Sequence, residues 1–138
     1  MTEPDPVAST SDTDDTVQLT VPADPAYVSV LRTVTASLAA RRDFTIEEID
    51  DLRLAVDEAS SLLLLHAPDG SQLTAVFGGS PDNLTVVVSA PAAGENPEID
   101  QTSFAWMVLS ALADTVGTAV SDGQLVVSVA KARGARTQ

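Results

Sequence analysis

The spacing of apolar positions changes repeatedly along this chain, and each change marks an element. Thr16 to Val21 (TVQLTV) alternates apolar and polar side chains as a half-buried strand does, and the Pro22 to Pro25 stretch ends it. Asp24 followed by Pro25 predicts a helix start, because the Asp side chain accepts a free backbone N–H and proline tolerates the first helical position. From Tyr27 to Arg41 the apolar residues Val28, Leu31, Val34 and Leu38 recur at threes and fours, one face of an amphipathic helix. Arg41 and Arg42 fall at its C-terminal end, where cations complement the helix dipole. A second helix starts at Thr45, whose spacing to Glu48 matches a capping box, with Glu47, Glu48, Asp50 and Asp51 at its positive end. From Leu62 to Leu65 it becomes apolar all round, which predicts burial on more than one side, and Pro68-Asp69-Gly70 stops it.

Gln72 to Phe77 and Leu84 to Ser89 read as strands, joined into a hairpin by the turn formers Ser80-Pro81-Asp82-Asn83. Ala90 to Gln101 is a Pro-, Gly- and acid-rich loop, long enough to be functional or mobile. Thr102 or Ser103 caps a third helix, with Phe104, Val108, Leu109, Leu112 and Val116 expected along its buried side. Strand-like pieces around Thr118 to Val120 and Gln124 to Ala130 follow, joined through Asp122-Gly123. The order is β-α-α-β-β-loop-α-β-β. It predicts a two-layer α/β sandwich, one mixed sheet covered on one face by three helices.

Composition narrows the function classes. The 138 residues suffice for one domain, expected over 16–132. Residues 1–15, with Glu3, Asp5, Asp12, Asp14 and Asp15 and no base, are expected as a disordered acidic tail, and 133–138 as a frayed one. No apolar run is long enough to span a bilayer and no basic-then-apolar leader opens the chain, which points to a cytoplasmic location without membrane contact. The absence of cysteine excludes thiol catalysis and thiolate metal sites. The single histidine, His66, cannot build a His-based metal site or catalytic pair, and is expected as a packed helix-end residue. Aromatics are 4% of the chain, so the core must be aliphatic, and Trp106 is expected in it. Twenty acids against seven bases, a net charge of −13, repel a phosphate backbone and argue against direct nucleic-acid binding. The same charge either suits a basic protein partner or only keeps the domain soluble.

One segment carries more. Asp51 to His66 read DLRLAVDEASSLLLLH. With Ala55-Val56-Asp57-Glu58-Ala59 and His66 in register, it resembles the N-box helix of the GHKL ATPases, in the form found in the anti-sigma-factor serine kinases of the RsbW and sporulation AB type. Ser103 to Asp114 is similar to the last helix of actinobacterial members, and the likeness extends from about Val17 to Ala132. The resemblance implies a Bergerat-like GHKL fold. It makes Glu58 a general base for phosphoryl transfer, with an asparagine four residues later holding Mg²⁺ against ATP. Here that position is Leu62, which has no lone pair to offer, so Glu58 is read as a vestigial base or as a solvated helix residue. The D-x-G-x-G motif is replaced by Ser89-Ala90-Pro91-Ala92-Ala93-Gly94, and the second glycine box by Thr102-Ser103-Phe104-Ala105. No cofactor is therefore expected, with ATP and Mg²⁺ binding weak or lost.

The binding half of the family's role remains. The resemblance implies a homodimer that sequesters an alternative sigma factor in competition with a STAS-domain anti-anti-sigma protein. It places a partner-binding arginine at Arg32, whose plain alternative is an exposed arginine paired with an acid. Asp24, Tyr27 and the acidic start of the second helix are expected to add to a face for a basic sigma-factor segment. Two rivals stand beside this reading: an active serine kinase that uses Glu58 on a STAS protein, and an orphan dimerisation domain on a worn ATPase fold.

Overall fold

The computed structural model describes residues 15–94 and 97–134. The acidic tail therefore lies outside the described residues except for Asp15, as do residues 135–138. Strand β1 (Val17–Pro22) is followed by a 3₁₀ turn (Pro25–Tyr27) and the helices α1 (Val28–Arg41) and α2 (Ile46–Leu64). Strands β2 (Gln72–Gly78) and β3 (Asn83–Pro91), helix α3 (Phe104–Leu112) and strands β4 (Thr115–Ser121) and β5 (Gln124–Ala132) complete the order. The expected α/β sandwich is present, with helices on one face of a five-stranded sheet ordered β1-β2-β3-β5-β4.

All four strand pairings are antiparallel. Two helices between β1 and β2 carry the chain away and back, so β2 returns beside β1 in the opposite sense. The single helix α3 makes β4 run in the same sense as β3, but β5 lies between them and is antiparallel to both. The mixed sheet anticipated from the sequence thus contains a same-sense pair without a parallel ladder.

Local chemistry accounts for the boundaries. Asp24 Oδ1 accepts from the Ala26 amide at 2.9 Å, so the expected cap is real, but it opens the 3₁₀ turn that leads into α1. At α2 the full capping box forms: Thr45 Oγ1 accepts from the Glu48 amide at 3.1 Å, and Glu48 Oε1 accepts from the Thr45 amide at 2.7 Å. Asp122 and Gly123 both take positive φ, 52° and 76°, as a two-residue hairpin requires. Gly79, at φ 116°, has no room for a Cβ beside Asn83, and the turn it opens is fastened to α1 by the Arg42 Nε, which donates to the carbonyls of Ser80 and Asn83.

The core lies between the layers. Leu73, Ala75 and Phe77 of β2 alternate into it, as do Val86 and Val88 of β3 and Val127 and Val129 of β5. From the helices, Leu31, Leu52, Val56, Ala59, Leu63 and Leu109 meet them. Two expectations of burial and one of element fail. Leu65 is 79% exposed because the helix is packed on one side only at its last turn. Phe104 is 78% exposed, since Ser103 caps α3 through the Trp106 amide and turns the first helical side chain outward. Val116 belongs to β4, which begins three residues earlier than the sequence suggested, because α3 stops at Leu112. Trp106 packs against the core only in part. Arg133 and Gly134, expected to fray, are held by bonds from their amides to the Asp82 carbonyl and to Glu48 Oε2, each at 2.7 Å.

Candidate functional site

Helix α2 carries the candidate chemistry on two edges. Residues seven apart on a helix stand nearly above one another, so Asp50 and Asp57 form one stripe, and Asp51 and Glu58 another. The first stripe faces α1: Arg32 Nη1 donates to Asp57 Oδ1 at 2.7 Å, each side chain about 34% exposed, and Arg53 pairs with Asp50 at 3.3 Å. Arg32, Asp50, Arg53, Leu54 and Asp57 line a shallow depression of about 300 Å³. Leu54 is half exposed there, an apolar side chain between opposite charges. The adjoining depression is lined by Pro25, Val28, Asp57, Ser61, Leu64 and Leu65, so Asp57 forms the wall between the two.

Arg32 lies on α1 and is paired with an acid, which is its plain alternative. Asp24 and Tyr27 are not brought to it. Asp24 spends a carboxylate oxygen on the 3₁₀ turn, and Tyr27 is exposed beyond the second depression. Asp57, Arg53 and Leu54 were missed as neighbours of Arg32. A signal existed, since Asp57 stands one position before the motif glutamate and seven after Asp50, on the side of α2 that must face α1.

The second stripe borders β5 and the end of α3. Lys131 Nζ lies 3.6 Å from Asp51 Oδ2 and donates to the Leu112 carbonyl at 3.2 Å. Glu58 is half-buried two turns further along, and forms no hydrogen bond or ion pair among the described residues. Four residues on, Leu62 is 5% exposed and part of the core. A magnesium triphosphate requires hard oxygen donors, and a packed leucine supplies none. Among the described residues no three His, Asp or Glu side chains gather as metal ligands.

The remaining segments of this edge are also filled by hydrocarbon or tied back. Ala90 is buried, and the Ala93 amide donates to the His66 carbonyl at 3.0 Å, drawing the loop after β3 onto the end of α2. At the start of α3, Phe104 stands where a glycine would let an anion approach the free amides. At this edge Leu62 offers no metal ligand and Phe104 stands at the start of α3. His66 is partly buried at the helix end and its ring forms no hydrogen bond among the described residues, short of the packed, hydrogen-bonded core residue expected.

The sheet order, the α2 edge and the Glu58 register define a class, and comparison with known proteins agrees. The chain matches the histidine kinase-like ATPase domain over residues 21–131 and belongs to that family. Within it the chain is similar to proteins of the RsbW type. The serine-protein kinase RsbW of Bacillus subtilis is 33% identical over 90 residues, 63% of this chain and 55% of that protein. The anti-sigma-F factor RsbW of Mycobacterium tuberculosis is 35% identical over 102 residues, 74% of this chain and 60% of that protein. The chain therefore spans a little over half the length of these relatives. The crystal structure of the RsbU and RsbW domains of Rv1364c from M. tuberculosis superposes with a TM-score of 0.62 at 16% identity, covering 86% of this chain and 32% of that one, a likeness of fold. No described helix is long and apolar enough to cross a membrane.

Proposed function

We propose that the protein is an anti-sigma factor that sequesters an alternative sigma factor by stoichiometric binding, as a homodimer in the cytoplasm, without needing nucleotide. The observation that carries this reading is the contrast between the two edges of α2. The Arg32 edge presents charged, partly exposed side chains, while the Glu58 edge has the buried Leu62 where the resembled family has a metal-binding asparagine. Relatives named anti-sigma-F factor and serine-protein kinase support the class of partner. A STAS-domain antagonist would compete at the Arg32 edge.

The test is isothermal titration of the purified protein with the alternative sigma factors of its own genome, with and without Mg-ATP, using the wild type and Arg32→Glu. Binding of one sigma factor with the same Kd in both conditions, weakened about tenfold or more by the charge reversal, is the expected result. Binding that appears only with Mg-ATP would overturn the nucleotide-independent reading. If no sigma factor binds, the orphan dimerisation reading takes its place.

A second reading, an active serine kinase, is favoured by Glu58, whose carboxylate is free of protein partners among the described residues. It requires transfer of labelled phosphate from ATP to a STAS-domain protein, abolished by Glu58→Gln. No transfer at any magnesium concentration eliminates it.

A further inference from the structure

Strand β4 ends the sheet on one side, pairing with β5 and with no other described strand. The two-residue turn Asp122-Gly123 fixes which of its backbone groups stay free. It makes Ser121 and Gln124 a pair that exchanges both ladder bonds, and Ala119 and Gly117 pair in the same way with Val126 and Ser128. The alternate residues Val116, Thr118 and Val120 therefore turn their N–H and C=O groups to the open side, where no backbone group among the described residues meets them. Edge strands are ordinarily blunted by a charge or a proline. Thr115–Ser121 contains neither, whereas the opposite edge, β1, ends in Pro22. Beside β4 lies a depression of about 370 Å³ whose lining includes Glu98, Asp100, Thr118 and Val120, and no base. Val120 is half exposed there, and Glu98 and Asp100 are exposed. The register puts Val120 on the same side of the sheet as the buried Leu125, so the depression lies on the helical side.

We propose that the open edge of β4 takes up an extended segment of a basic protein partner as a sixth strand. Main-chain bonds to Val116, Thr118 and Val120 hold the segment, and its alternate side chains supply the specificity. Every second residue of an added strand turns to the helical side, over the depression. There a Lys or Arg meets Glu98 or Asp100, and an apolar residue two positions away packs on Val120. Charge selects the occupant. Asp122 in the adjoining turn is exposed as well, so the depression and the turn together carry three acids and no base. A second copy of the chain would bring the same acids against these, in a molecule of net charge −13, whereas a basic segment is attracted. The site shares no residue with the Arg32 edge, so the proposal does not depend on what binds there.

The test is NMR titration of the isotope-labelled full chain with two blocked heptapeptides, TKTVTKT and its acidic counterpart TETVTET. The expected result is a saturable shift of the Val116, Thr118 and Val120 amides with the basic peptide, at a Kd below about 1 mM, and slower exchange of those amides with solvent. The acidic peptide is expected to bind at least about tenfold more weakly. Thr118→Pro removes an outward N–H that the β5 ladder does not use, so it is expected to abolish the shifts with unchanged circular dichroism. If that variant fails to fold, Glu98→Lys, which leaves the strand intact, is expected to weaken the basic peptide at least about threefold. No saturable shift on β4 up to about 5 mM basic peptide overturns the proposal. So do shifts of equal size with both peptides, or shifts that persist in a folded Thr118→Pro.

Discussion

Arg32 and Asp57 are only a third exposed, yet enough water reaches them to screen their attraction. An ion pair of this kind contributes at most about 1 kcal/mol. Arg32→Ala is therefore expected to lower stability by no more than about 1 kcal/mol in urea unfolding. Leu52→Ala, in the core on α2, is expected to cost about 2–5 kcal/mol. The contrast makes Arg32 a clean probe, because a binding defect in its variants cannot be charged to unfolding. A loss of several kcal/mol on removing Arg32 would mean that the residue is structural. Asp100 supplies a pH dependence. Its carboxylate accepts from the Thr102 hydroxyl at 2.6 Å and from the Thr102 amide at 2.9 Å, the hydroxyl bond first, and these hold its pKa below the usual 3.8. The stabilisation is fully present above 3.8 and is lost as pH falls through the lowered folded value. The Thr102 amide resonance is expected to shift in that acid window and to stay still in Asp100→Asn. At this scale the sequence revealed Arg32 and the Leu62 substitution, because both follow from register. The Arg32–Asp57 contact joins residues 25 apart and depends on how α1 and α2 pack, so the spacing of Asp57 from Asp50 gave only a hint of it.

Among the elements, α2 is anchored at its start by one carboxylate serving two ends of the chain. Glu48 Oε1 closes the capping box and Oε2 accepts from the Gly134 amide. Thr45→Ala removes one cap bond and is expected to cost about 1 kcal/mol. Glu48→Ala removes the reciprocal cap bond and the tether after β5 together, so it is expected to cost more than Thr45→Ala in thermal melts. Equal losses would mean that the tether contributes nothing. The T-x-x-E pattern made the cap legible, but nothing in the spacing of Glu48 and Gly134 could reveal the tether. Helix α3 shows the opposite failure. Its sequence, FAWMVLSAL, is apolar almost throughout, so periodicity could not tell which side faces the core. The Ser103 cap and the stop at Leu112 decide it, burying Leu109 and exposing Phe104 and Met107.

For the molecule as a whole, the element order was readable and the sheet order was not. Whether β4 or β5 lies against β3 is a choice made by the α3 crossover, and both choices satisfy the same alternation. Once the register is known, the strands divide into a core side and a side without charge. The helical layer, the loops and the hairpin turns, with Asp82 and Asp122, then hold the described acids, and the outward sheet face is neutral. The two proposed associations are therefore expected to respond to salt with opposite signs. Raising ionic strength from about 0.05 to 0.5 M shrinks the reach of charge from over 10 Å to a few ångström. Repulsion between two copies at −13 fades, so the proposed self-association tightens. Attraction between the acidic surface and a basic sigma-factor segment fades as well, so that complex forms more slowly and binds less tightly. Sedimentation equilibrium follows the first and titration against the sigma factor the second, on the same preparation. If self-association weakens with salt, charged groups hold the copies together.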